Sequence, residues 1–259
     1  MTNDKTLPTI CIWCGKTKFK PSLEHILPDS LGCPPNFVLR DCVCVSCNNS
    51  LGHLDHALLR QFEIPAFMLG IPRKGGKPPS INNWAALGGK RGPNGPELYL
   101  NAGPGKIDAL GRKLNPANRS NGILNPTIER TGPFGQVSFQ QEFGNDPKFI
   151  RALYKVGLSA TAYWHGSNYM REPTLEAART FVRTGKGDFK SIILGYEQDN
   201  GHHFSPPWSN ADKSELVLGM TILGVSFIVD FGVNQTAIAR IVAELERQGT
   251  LSWTVLPIA

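Results

Sequence analysis

Hydrophobic periodicity is clear at both ends of the chain and almost absent in the middle. Leu51, Leu54, Leu58 and Phe62 recur at steps of three and four, which predicts a helix beginning near Asn48 with one buried face. Upstream, residues 22–28 (SLEHILP) read as a strand that stops at proline. Alternation puts Leu23 and His25 on one of its faces and Glu24 and Ile26 on the other. A second strand, from Asn36 towards Cys44, completes a hairpin-plus-helix (ββα) unit. Far downstream, Asp146 and Pro147 resemble a helix cap followed by proline at the first position. Phe149, Leu153, Val156 and Ala160 carry that helix to about Tyr163, and residues 174–183 form another with Leu175, Ala178 and Val182 on one face. Residues 191–196, 215–224 and 225–231 read as strands. Asn234 is expected to cap a last helix over 236–247, and 251–256 closes the chain as a strand.

Between these ends, residues 70–135 hold 22 glycines and prolines in 66 positions, which excludes long helices and leaves short strands and turns. Turns are expected at Gly88-Gly89, 93–96 and 103–105, and strands at 98–100 and 137–139, with disorder as the competing account for parts of the stretch. The predicted fold class is α+β, in three units: 8–64, 65–145 and 146–259. The last has no internal repeat, no nucleotide-binding glycine fingerprint and no catalytic constellation. His202 and His203 are expected at the surface, and His165 beside Trp164 in a packed or surface role.

Charge adds one asymmetry. The chain carries a net +6 with a pI of about 9.0, and residues 72–119 hold nine basic residues against Glu97 and Asp108. That strip suits an anionic polymer, although a solvated basic loop explains it as well. No apolar segment follows Met1 as a secretory leader would, and the apolar run 216–229 is too short to span a bilayer. The expected location is the cytoplasm, where six cysteines point to metal binding rather than disulfides.

Four of those cysteines have knuckle spacing: Cys11-x-x-Cys14 followed by Gly15, and Cys44-x-x-Cys47 thirty residues on. Two such pairs predict a closed, tetrahedral, structural zinc site whose binding energy helps a small segment fold. Cys42 could replace Cys44 only by making a poorer knuckle, and Cys33 is an unpaired extra.

Taken together, Cys-x-x-Cys, then Glu24-His25-Ile26-x-Pro28-x-x-Leu31-Gly32, then Cys-x-x-Cys47-Asn48-Asn49-x-x-Gly52 resembles the HNH endonucleases, the ββα-metal nucleases, in their zinc-stapled four-cysteine form. The resemblance covers about residues 8–60. It implies that His25 is the general base that activates water, a task suited to an imidazole. It further implies that Glu24 and Asn48 hold one divalent cation, Mg²⁺ or Mn²⁺, and that Asn36 orients the base. Asn49 and His53, four apart on one helix face, are the alternative cation pair. Asp55 lies two turns from Asn48, too far to share an ion with it directly.

The expected activity is metal-dependent hydrolysis of DNA phosphodiesters with low sequence specificity, RNA being left open, and family habit adds defence against foreign DNA. Residues 146–259 would dimerise, position DNA or bind a regulatory partner. Two other classes stand beside this one: a zinc-dependent nucleic-acid-binding module that does not cut, and a nuclease effector switched by a ligand or partner at the C-terminal region.

Overall fold

The computed structural model describes residues 9–72, the strand segments 88–90, 97–99, 106–107, 113–114, 123–131 and 134–141, and residues 143–144, 146–196, 201–212, 214–250 and 252–257. The fold is mixed α and β. Strands β1 (Glu24–His25) and β2 (Val38–Leu39) pair antiparallel, with Glu24 opposite Leu39 and His25 opposite Val38. Helices α1 (Val45–Gln61) and α2 (Glu63–Met68) follow. The predicted hairpin-plus-helix is present, but α1 starts three residues earlier than the leucine spacing indicates. Cys44 accepts the Cys47 N–H and so supplies the cap that the apolar pattern does not reveal.

Among the described residues the middle of the chain contributes three antiparallel pairs: β3 (Gly88–Lys90) with β4 (Glu97–Tyr99), β5 (Lys106–Ile107) with β6 (Lys113–Leu114), and β7 (Ile123–Thr131) with β8 (Phe134–Gln141). Gly88 and Gly89 lie in a strand opposite Tyr99 and Leu98, not in the predicted turn, because the antiparallel ladder with β4 pairs their backbone. The turns expected at 93–96 and 103–105, and Arg73, Lys74, Lys77, Arg91, Arg112 and Arg119 of the basic strip, lie outside the described residues.

The C-terminal part matches the periodic pattern closely. Helix α3 (Pro147–His165) is capped by Asp146, which accepts the Lys148 N–H, and α4 (Glu176–Thr184) follows. Then come β9 (Ser191–Tyr196), β10 (His203–Phe204), β11 (Trp208–Ser209), β12 (Leu216–Ile222), β13 (Val225–Asp230), α5 (Thr236–Arg247) and β14 (Trp253–Leu256). They build an antiparallel sheet in the order β10-β12-β13-β9-β14, with β11 also on β12. The apolar run 216–229 is indeed two strands. Leu223 (φ 47°) and Gly224 (φ 81°) form a two-residue turn between them, the twist that a tight hairpin favours. Asn234 is not the cap of α5. Gln235 holds that place at φ 52° without a side-chain cap bond, and Asp230 at the end of β13 accepts the Ala237 N–H instead.

Helix α3 is the hub. A Cβ at Gly157 would come within 3.1 Å of Phe231 and Val229, so glycine is what lets the helix approach the sheet. On its other side α3 packs along α1. Phe62 of the N-terminal unit meets Phe149 and Phe227 with ring centroids 6.4 and 6.1 Å apart, placing both ends of the chain in one hydrophobic core. Among the described residues no helix is long and apolar enough to cross a membrane.

Candidate functional site

The four knuckle cysteines converge. In the first knuckle, Gly15 N–H donates to the Cys11 carbonyl at 2.8 Å, with Gly15 at φ 73°, a conformation that suits glycine. The second knuckle is the first turn of α1. Cys44 N–H donates to Cys11 Sγ at 3.4 Å, and Cys47 N–H to Cys44 Sγ at 3.3 Å. The four sulfurs all lie within 4.8 Å of one another, and Cys14 and Cys44 Sγ are 3.9 Å apart. Tetrahedral zinc, with Zn–S near 2.3 Å, sets its sulfurs about 3.8 Å apart. The donor set therefore fits a structural metal ion such as zinc. Among the described residues it is the only His, Cys, Asp and Glu group gathered closely enough to hold one. Cys42 lies outside it. Burial, followed by nearby Cys11 and Asp41, pushes its thiol up to about 11, as for a cysteine that simply packs. Cys33 donates to the Phe37 carbonyl at 3.3 Å.

The hairpin is tied to α1 beside this quartet. Ser22 N–H donates to the Val43 carbonyl at 2.8 Å and Val45 N–H to the Lys20 carbonyl at 3.1 Å. Asn48, in the first turn of α1, reaches back to the same segment: its Nδ2 donates to Ser22 Oγ at 2.6 Å and to the Leu23 carbonyl at 3.1 Å. Those bonds fix the amide's orientation and leave its Oδ1 as a hard oxygen donor. Strand alternation holds: Leu23 is exposed and His25 half-buried, while Glu24 and Ile26 are buried. His25 and Asn48 thus sit on one hairpin–helix junction. Asn36 is exposed in the turn closed by Phe37 N–H on the Pro34 carbonyl. Asn49 and His53 are exposed on α1, where His53 Nδ1 donates to the Ser50 carbonyl at 2.8 Å.

Glu24 points the other way. Its side chain is 2% exposed and forms an ion pair with Lys155 of α3, itself 1% exposed. Lys155 Nζ also donates to Asp55 Oδ1 of α1 at 2.7 Å, on a side chain 28% exposed. Burial opposes the charged ammonium, but Glu24 and Asp55 outweigh it and hold Lys155 above the ordinary lysine value. Burial raises the Glu24 carboxyl, with Lys155 pulling it down, Asp55 pushing it up and His25 pulling it down. Two carboxylates share one ammonium.

Lys155 is the residue that sequence reasoning missed. Its signal was a lone charge in the otherwise uncharged run 152–164, on a helix buried nearly all round. His202 also differs from the expectation of a surface residue: Nε2 donates to the Leu31 carbonyl at 2.7 Å and Nδ1 accepts the Leu223 N–H at 3.4 Å, and burial lowers its pKa. His203 is exposed, as expected, and of the two roles open to His165 the surface one is found.

Comparison with models of protein families, with curated proteins and with solved structures finds no match to this chain. The likeness to HNH nucleases accordingly rests on the residues quoted above.

Proposed function

We propose that the chain is a metal-dependent endonuclease of HNH type that hydrolyses DNA phosphodiesters, with His25 as general base. The observation that carries this reading is the junction beside the cysteine quartet: a half-buried histidine on a two-residue strand, and an asparagine bonded by its amide nitrogen to the two residues leading into that strand, so that its carbonyl oxygen is left as a donor. His25 would take the proton from the attacking water, and Asn36 would help to orient the ring through the hairpin loop. Asn48 would hold a hard divalent cation, Mg²⁺ or Mn²⁺, which supplies charge stabilisation at the scissile phosphate when bound. The structural metal would be zinc in the cysteine quartet. The basic strip would follow the phosphate backbone, which contributes affinity without sequence information.

The test is incubation of the purified chain with plasmid and linear DNA, with and without Mg²⁺ or Mn²⁺, and mapping of the ends. Cleavage that needs the added cation and leaves 5′-phosphate and 3′-hydroxyl ends supports the reading. Failure to cut DNA under any of these conditions overturns it. The engagement of Glu24 by Lys155 favours one second reading, a zinc-stapled module that binds nucleic acid without cutting it. Such a module would retard DNA in a gel and leave it intact.

A further inference from the structure

We propose that Lys155 is a positioning residue of this site, and that Glu24 acts with it as a buried strut rather than as a ligand to the catalytic cation. The proposal rests on the nuclease reading for its catalytic consequence and on geometry alone for the strut. A cation that touches a phosphate must lie where an anionic polymer can reach it. The Glu24 carboxylate is on the strand face opposite His25, sealed from solvent, and faces an ammonium that is equally sealed. Turning Glu24 out towards a cation would strip Lys155 of one of its two charge partners inside the core, which is strongly unfavourable.

What the strut does follows from the three elements it joins. Glu24 belongs to β1, Asp55 to α1 and Lys155 to α3, and all three meet at one Nζ. That contact fixes β1 against α1 from the inner side. The Asn48 bonds to Ser22 and Leu23 fix the segment leading into that strand at the helix start. His25 lies next to Glu24 in the strand, so its direction is set by a lysine from the far half of the chain. The candidate nuclease unit is therefore incomplete without α3.

The test uses the full chain with Glu24→Gln, Lys155→Met and the double variant, with zinc content measured on each. In equilibrium unfolding, Lys155→Met should lower Tm by roughly 8 °C or more, because it leaves the buried Glu24 carboxylate without a counter-charge; Glu24→Gln should lower it by less, because Lys155 keeps Asp55, and the double variant should recover more than half of the Lys155→Met loss. Single variants at wild-type Tm overturn the strut. In cleavage assays well below each Tm, both single variants should lower kcat by about 10²-fold through misplacement of His25, with KM and the Mn²⁺ concentration for half-maximal rate within about twofold of wild type. A Glu24→Gln chain that needs tenfold more Mn²⁺ marks Glu24 as a metal ligand and overturns the proposal, as does a Lys155→Met chain that cuts at the wild-type rate. If the wild-type chain cuts nothing, the nuclease reading fails and the positioning role with it. An unchanged Tm in a chain that does cut overturns the strut while leaving the nuclease reading in place.

Discussion

Residues 9–62 and the C-terminal sheet with α3 are held together in different ways. The first region has two strands of two residues each, and its order depends on four thiols, the Asn48 amide and a shared ammonium. The second has a multi-stranded antiparallel sheet with alternating burial along β12 and β13, and a helix buried on most of its surface. Regular pairing and apolar packing suffice there. Where strands are too short for that, specific polar chemistry takes over.

The sharpest way to break this contrast is to deny the cysteine quartet a metal. Structural zinc contributes on the order of 10 kcal/mol to small cysteine-stapled units. Chelation, or Cys47→Ser, is expected to abolish hydrogen-exchange protection in residues 9–62 while β12 and β13 keep theirs. Protection retained in both regions after complete metal loss would contradict it. The converse perturbation is Phe227→Ala, which empties the centre of the aromatic cluster with Phe62, Phe143 and Phe149. It should cost about 3–5 kcal/mol in chemical denaturation, with zinc content unchanged.

Smaller effects probe individual ties. Asp230 accepts the N–H groups of Gly232 at 2.8 Å and Ala237 at 3.0 Å, so Asp230→Ala should cost about 1–2 kcal/mol by uncapping α5. A cost near zero would remove Asp230 from that role. His202 links the two regions, and burial lowers its folded pKa below the ordinary 6.5. The unfolded chain therefore binds a proton more readily as pH falls, so this contribution is complete above 6.5 and is lost as pH drops through the folded value. Stability of the wild type should fall with acidification over that window more steeply than stability of His202→Gln. Parallel pH profiles would contradict the assignment.

Much of this contrast could be read from the residues themselves. Steps of three and four located α3 and α4, and apolar runs located β9, β12 and β13, because those elements are set by local pattern against one core. The cysteine spacing identified the quartet because two-residue gaps fix both halves of a tetrahedron. What could not be read depended on contacts distant in sequence. Cys44 extends α1 by three residues because its sulfur accepts a backbone bond, and Asp230 caps α5 from the end of a strand. The pairing of Lys155 with Glu24 and Asp55 spans 100 residues or more, so alternation could put Glu24 on the face of Ile26 but no local pattern could show the ammonium it meets there.

The central claim is that chemistry resides at His25, on the junction face, and the most direct measurement compares His25→Ala with His53→Ala at matched zinc content. His25→Ala should lose about 10²–10⁴-fold in single-turnover cleavage of DNA, while His53→Ala, whose ring is bonded to its own helix, should cut at nearly the wild-type rate. Cleavage that survives His25→Ala, or that disappears with His53→Ala alone, would contradict the account.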